Sequence, residues 1–181
     1  MRILIACEFS GVVREEFSKL GHDAWSCDLL PSEKEGKHIQ DDVLKHLNDG
    51  WDMMIAFPPC TYLCSSGARW WKYRRKEQAE AIEFVKTLWN APIPKVAIEN
   101  PIGILSTVWR KPDQVIQPWM FGHPETKATC LWLKNLPRLI PTKIVDGRYP
   151  RVHYESPGKD RWKRRSRTLL GIAKAMAIRW G

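Results

Sequence analysis

Met53-Met54-Ile55-Ala56-Phe57-Pro58-Pro59-Cys60 decides the reading of this chain. An apolar run ending in a rigid Pro-Pro turn reads as a buried parallel strand that delivers a thiol to its carboxyl edge, where open α/β sheets bind their ligands. A second run, Lys95-Val96-Ala97-Ile98, ends in Glu99-Asn100-Pro101 and brings a carboxylate to the same edge. One thiol and one acid are thereby expected to face one substrate.

Working outward, Arg2 to Cys7 reads as a strand, Val12 to Leu20 as a short amphipathic helix stopped by Gly21, and Asp23 to Cys27 as a second strand. A short helical segment is expected at Val43 to Leu47. Ile82, Val85 and Trp89 set the apolar stripe of a longer helix from Arg74 to Trp89. Strands alternating with helices predict right-handed crossovers and a mostly parallel sheet with flanking helices, a Rossmann-like α/β architecture. Beyond Pro101 prolines recur, only Ala128 to Leu133 reads as strand, and a helix from Leu169 to Trp180 closes the chain. The length of 181 residues predicts a single compact domain. Residues 1–101 would form its cofactor and catalytic half, and residues 102–181 the substrate-side half.

Lys and Arg total 29 against 20 Asp and Glu, a net charge of +9 that suits a polyanionic partner. The five cysteines are scattered and odd in number, which reads as reduced thiols in a cytoplasmic protein. Cys60 and Cys64 are spaced Cys-x3-Cys, but no His or Cys pair completes a zinc set, so no metal is expected. No apolar run reaches membrane-spanning length. Trp70-Trp71, flanked by Arg69, Lys72, Arg74 and Arg75, combines stacking surfaces with cations, the mix found at single-stranded or flipped-base sites. Packing one indole inward at a helix start accounts for the pair equally well.

After the first strand, Phe9-Ser10-Gly11 forms a glycine turn that lets backbone approach a ligand, and the following helix start offers N–H groups to a carboxylate or phosphate. Asp28 ends the second strand 17 residues beyond Gly11, close to the ~20-residue offset at which an acid holds ribose hydroxyls. The residues alone suit S-adenosylmethionine or a dinucleotide.

Pro58-Pro59-Cys60, Glu99-Asn100-Pro101 and the Phe9-Ser10-Gly11 loop, in that arrangement, resemble the DNA cytosine-5 methyltransferases. Gln117 through Leu133 and Arg165-Ser166-Arg167-Thr168 resemble short methylase-like proteins of bacteriophage genomes. The resemblance implies an S-adenosylmethionine-dependent methyltransferase fold without a large target-recognition domain. It further implies methylation of cytosine carbon-5 in DNA, with Cys60 as the nucleophile and Glu99 as the acid on the base. Phe9, Gly11, Asp28, Asp42 and Pro58 would hold the cofactor. Pro59, Ser65, Ser66, Asn100, Lys127, Thr129, Arg164 and Arg165 would face the substrate, with Thr61 to Arg69 as a lid. Arg69 is a candidate cation for lowering the Cys60 pKa. The family's second glycine is replaced by Val13, and its Arg-x-Arg strand by Lys127 and Thr129. Duplex or single-stranded DNA is the expected partner, with a homo-oligomer or a separate recognition subunit left open. Two alternatives keep the same framework: the same chemistry on a free pyrimidine nucleotide or RNA, and a degenerate methylase that only binds DNA or cofactor.

Overall fold

The computed structural model describes residues 1–181. Its centre is a seven-stranded sheet, in spatial order β3-β2-β1-β4-β5-β7-β6. The strands are β1 (Arg2–Ala6), β2 (Asp23–Asp28), β3 (His38–Gln40), β4 (Met53–Ala56), β5 (Lys95–Pro101), β6 (Gln114–Ile116) and β7 (Thr129–Lys134). The first five pair in parallel, whereas β7 runs antiparallel to both β5 and β6. From β1 the chain moves outward to β2 and β3, then returns to the far side of β1 for β4 and β5. The strand order therefore reverses between β1 and β4, and such a switch point opens a crevice beyond the carboxyl ends of the two strands.

Alternation along each strand divides the core between the two faces of the sheet. Ile3, Ile5, Met53, Ile55 and Ala97 pack under α1 (Val12–Lys19) and the C-terminal helix, Leu170–Trp180, through Val13, Phe17, Ala173, Met176 and Trp180. Leu4, Met54, Val96, Ile98 and Trp132 face the opposite layer, built on Val85 and Leu88 of α2 (Arg75–Asn90). Between α2 and the C-terminal helix lie three short helices, α3 (Leu105–Val108), α4 (Arg151–Tyr154) and α5 (Arg161–Ser166), which makes the last helix α6. No helix is long and apolar enough to cross a membrane.

The structure differs from the sequence reading in three places that matter for function. Strand β5 does not stop at Ile98, because β7 pairs with it as far as Pro101↔Thr129, two residues past Glu99. The segment Thr61 to Arg69, expected as a polar flexible lid, runs from Ser65 into a 3-10 helix that extends to Tyr73. The basic run near Arg164 forms α5, a short helix against the sheet edge. Strands β3 and β6, three residues each, gave no pattern to read.

Candidate active site

Two left-handed residues, Cys7 and Gly11, fix the backbone after β1 at the switch point. Gly11 has φ of +69°, and a Cβ there would lie 2.7 Å from the Arg14 guanidinium, so this glycine leaves room for a side chain of the chain itself. Arg14 is only 1% exposed. It donates to Ser26 Oγ, Ser32 Oγ and the carbonyls of Lys34 and Glu35, and thereby pins the β2–β3 loop against α1. Just ahead, Cys7 adopts φ of +58°, a left-handed conformation that a residue with a Cβ holds at a cost of roughly 1–2 kcal/mol. Such strain at the ligand edge of a sheet is a mark of sites that need one particular chain path.

The N-terminus of α1 overturns one expectation. Its N–H groups are not open to a ligand: the buried Glu8 carboxylate accepts from Val13 N at 2.7 Å and Arg14 N at 3.4 Å, while the Ser10 hydroxyl donates to it at 3.1 Å. Burial pushes the Glu8 pKa up, and these hydrogen bonds oppose the shift. A pyrophosphate would have to displace this carboxylate, so the dinucleotide reading does not fit.

Around the same edge, Phe9 is 7% exposed and its ring centroid lies 5.9 Å from that of Trp162 on α5. Asp28, half-buried, accepts from Leu30 N at 2.9 Å, and burial raises its pKa. Asp42 caps a 3-10 turn by accepting from Leu44 N at 3.0 Å. Pro58 is buried, and its carbonyl accepts from Asn100 Nδ2 at 2.9 Å. That bond ties the turn after β4 to the end of β5, leaving the Asn100 Oδ1 atom buried without a partner.

Cys60 follows β4 and Glu99 lies within β5, adjacent parallel strands whose mutual pairing ends at Ala56↔Ile98. Cys60 is exposed, whereas Cys27 and Cys130 are buried and their thiols are pushed up to about 11 by that burial. These two are packing residues. Desolvation, then Cys64 and Glu99, raise the Cys60 pKa, and Lys127 lowers it. Desolvation also raises Glu99, against Lys127 and the Thr129 hydroxyl, which favour its charged form. Lys127, whose Nζ also donates to the Arg165 carbonyl at 3.2 Å, is thus the cation shared by thiol and acid. Arg69 does not fill that place: its guanidinium lies 5.1 Å from the Trp70 ring.

A small pocket beside Glu99 is lined by Phe57, Lys127, Thr129, Thr168, Leu169 and residues of α6. Its volume of about 10 Å³ admits a water-sized group.

The remaining expected residues lie on two flanks. Pro59 is exposed beside Cys60, and Ser65 and Ser66 open the 3-10 helix, whose root is fastened by Ser65 N to Ile102 O at 3.0 Å and Ile104 N to Leu63 O at 2.9 Å. Gly103 makes this possible, since a Cβ there would meet Leu63 O at 1.9 Å. On the other flank Arg164 pairs with Glu155, Arg167 forms a two-pronged pair with Glu33 at 2.7 and 2.6 Å, and the Nε of Arg165 is buried without a partner. Two of the six cations between Lys159 and Arg167 are therefore paired within the chain, and the other four carry no ion pair. Nothing in the sequence marked Glu8, Arg14 or Glu33 as the residues that build this edge.

No family model matches the chain, and no curated protein matches it by sequence. A solved structure described as a candidate DNA modification methyltransferase, encoded within an E. coli prophage, aligns with a TM-score of 0.53 at 14% identity. The likeness is one of fold. It covers 87% of this chain and 55% of the other, so the chain spans little more than half the length of that neighbour.

Proposed function

We propose that this chain methylates carbon-5 of cytosine in DNA, using S-adenosylmethionine and a transient covalent bond from Cys60 to a flipped base. The observation that carries the reading is the pairing of an exposed thiol and a half-buried acid at the ends of adjacent strands, with Lys127 acting on both. The fold shared with the prophage-encoded neighbour, described as a DNA modification enzyme, supports it.

Carbon-5 of cytosine is a weak nucleophile. The Cys60 thiolate adds at carbon-6, which places electron density on carbon-5 and negative charge toward ring nitrogen 3. Glu99, whose pKa burial raises, donates to nitrogen 3 and limits that charge. Lys127 increases the thiolate fraction of Cys60 and steadies the developing anion. S-adenosylmethionine, when bound, supplies the methyl group, and Phe9, Gly11, Asp28, Asp42 and Pro58 would hold it. Loss of the carbon-5 proton to solvent water, with return of the nitrogen-3 proton to Glu99, then expels the Cys60 thiolate and restores the ring. In duplex DNA the target must leave the stack to reach this edge.

The test is intact-mass analysis after incubation with cofactor and 5-fluorocytosine DNA, in which fluorine blocks the final elimination and traps the adduct. A mass increase equal to methylated oligonucleotide, absent in Cys60→Ser, is the expected result. Cofactor affinity should stay unchanged in that variant. An adduct that persists without Cys60, or methylated cytosine formed by the variant at the parent's rate, would end the proposal.

A further inference from the structure

The 3-10 helix Ser65–Tyr73 begins five residues after Cys60 and contains no buried residue. Trp70 is 56% exposed and Tyr73 67%, with ring centroids 6.5 Å apart. Cations lie on both: the Arg69 guanidinium is 5.1 Å from the Trp70 ring and the Lys72 ammonium 4.7 Å from that of Tyr73. Trp71 is half-buried, with its indole N–H out of solvent and without a partner. Helix α2 then starts at Arg75 with no side-chain cap; Arg75 and Lys76 stand in its first turn beside Glu77, which pairs with Arg74. An uncapped helix start leaves N–H groups unpaired, and exposed aromatic rings gain nothing from burial. Two features that work against stability thus coincide on one segment, which points to a surface kept for a ligand.

We propose that Trp70 and Tyr73, with Arg69, Lys72 and Arg75, form a stacking platform for single-stranded DNA beside the reacting nucleotide. Resting on the DNA reading above, this names the form of the substrate: unpaired strand is preferred over duplex. Bases in a duplex hide their faces against one another, whereas unpaired bases offer them to aromatic rings, and the phosphates between them meet the cations. The hydrogen bonds from Ser65 N to Ile102 O and from Ile104 N to Leu63 O hold the root of the platform at the carboxyl edge carrying Cys60 and Glu99.

Fluorescence anisotropy of the full chain with one labelled DNA sequence, single-stranded and duplex, and with the matching RNA, tests the proposal without cofactor or chemistry. Single-stranded DNA should bind tightest. The double variant Trp70→Ala/Tyr73→Ala should lose about tenfold or more, as expected from one or two stacked bases, while Trp70→Phe/Tyr73→Phe keeps most of the affinity. Replacing Arg69, Lys72 and Arg75 with Gln should flatten the slope of log affinity against log salt by about two units, at ~0.7 per phosphate contact for single strands. Unchanged affinity in the Ala double variant, or duplex or RNA binding as tight as single-stranded DNA, overturns the platform. A chain that binds single strands through these rings yet forms no Cys60 adduct keeps the platform and loses the chemistry. An adduct formed equally well by the Ala double variant on both DNA forms does the reverse.

Discussion

Replacing Gly103 with Ala strikes the seam between the nucleophile loop and the end of β5. An ideal Cβ at this position lies 1.9 Å from Leu63 O and 2.8 Å from its carbonyl carbon. Both are main-chain atoms, so no rotamer change relieves the clash, and the 63–65 and 102–104 segments must separate. Two hydrogen bonds cross that seam, Ser65 N to Ile102 O and Ile104 N to Leu63 O. At a net ~0.5–1.5 kcal/mol each, their loss costs about 1–3 kcal/mol. If the whole cost falls on holding Cys60 at its working position, adduct formation slows about 5- to 140-fold, at ~1.4 kcal/mol per tenfold. Adduct rate on 5-fluorocytosine DNA and urea denaturation should be measured together. Gly103→Ala with the parent's unfolding midpoint and adduct rate would refute the claim that this seam positions the nucleophile.

Lys127→Met removes the cation that favours the charged forms of both Cys60 and Glu99, so both pKa values rise; iodoacetamide labelling of Cys60 should slow at neutral pH and its pH midpoint move upward, and an unshifted profile would contradict the shared role. Glu8→Ala leaves the buried Val13 and Arg14 N–H groups without their acceptor, at about 1–3 kcal/mol per group. Glu8→Gln keeps an acceptor and removes a charge that burial opposes, so it should cost clearly less in a denaturant melt; equal losses would reject the capping account. Arg167 holds the Glu33 carboxyl below its ordinary value, so their pairing stabilises above the unfolded pKa of about 4.3 and fades as pH falls through the lower folded value. Hydrogen exchange in α5 should accelerate over that acid range in the parent, and Arg167→Ala should show fast exchange at neutral pH as well; protection independent of pH and of Arg167 would sink this reading.

The apolar runs of β1, β4 and β5 and the stripes of α2 and α6 were legible because their burial is written in local residue order. So was the delivery of Cys60 and Glu99 to one edge, which needs only strand direction. Arg14 was not: on a short amphipathic helix a charged residue reads as solvent-facing, and the four acceptors that permit its burial come from residues 26–35. Glu8 escaped notice for the same reason, since its partners are main-chain N–H groups with no sequence signature. The link between Lys127 and the thiol depends on β7 folding back beside β5, and a strand's direction in a sheet is not encoded in its own pattern.

That reversed strand also sets an order of events. Until residues 129–134 have been synthesised, β5 is the open margin of a partial sheet, with Val96 to Asn100 lacking the partners they have in the finished molecule. β6, made earlier, has no strand to join, because its only neighbour is β7. The emerging chain thus carries an unpaired apolar edge, the kind of surface through which incomplete chains associate. Insertion of one strand between two waiting ones removes it, and in the same step brings Thr129 and Lys127 alongside Glu99. The proposed site therefore gains Lys127 and Thr129 only when the hazard of self-association ends, and a ribosome-bound chain paused before β7 should cross-link to its copies more readily than one paused after it.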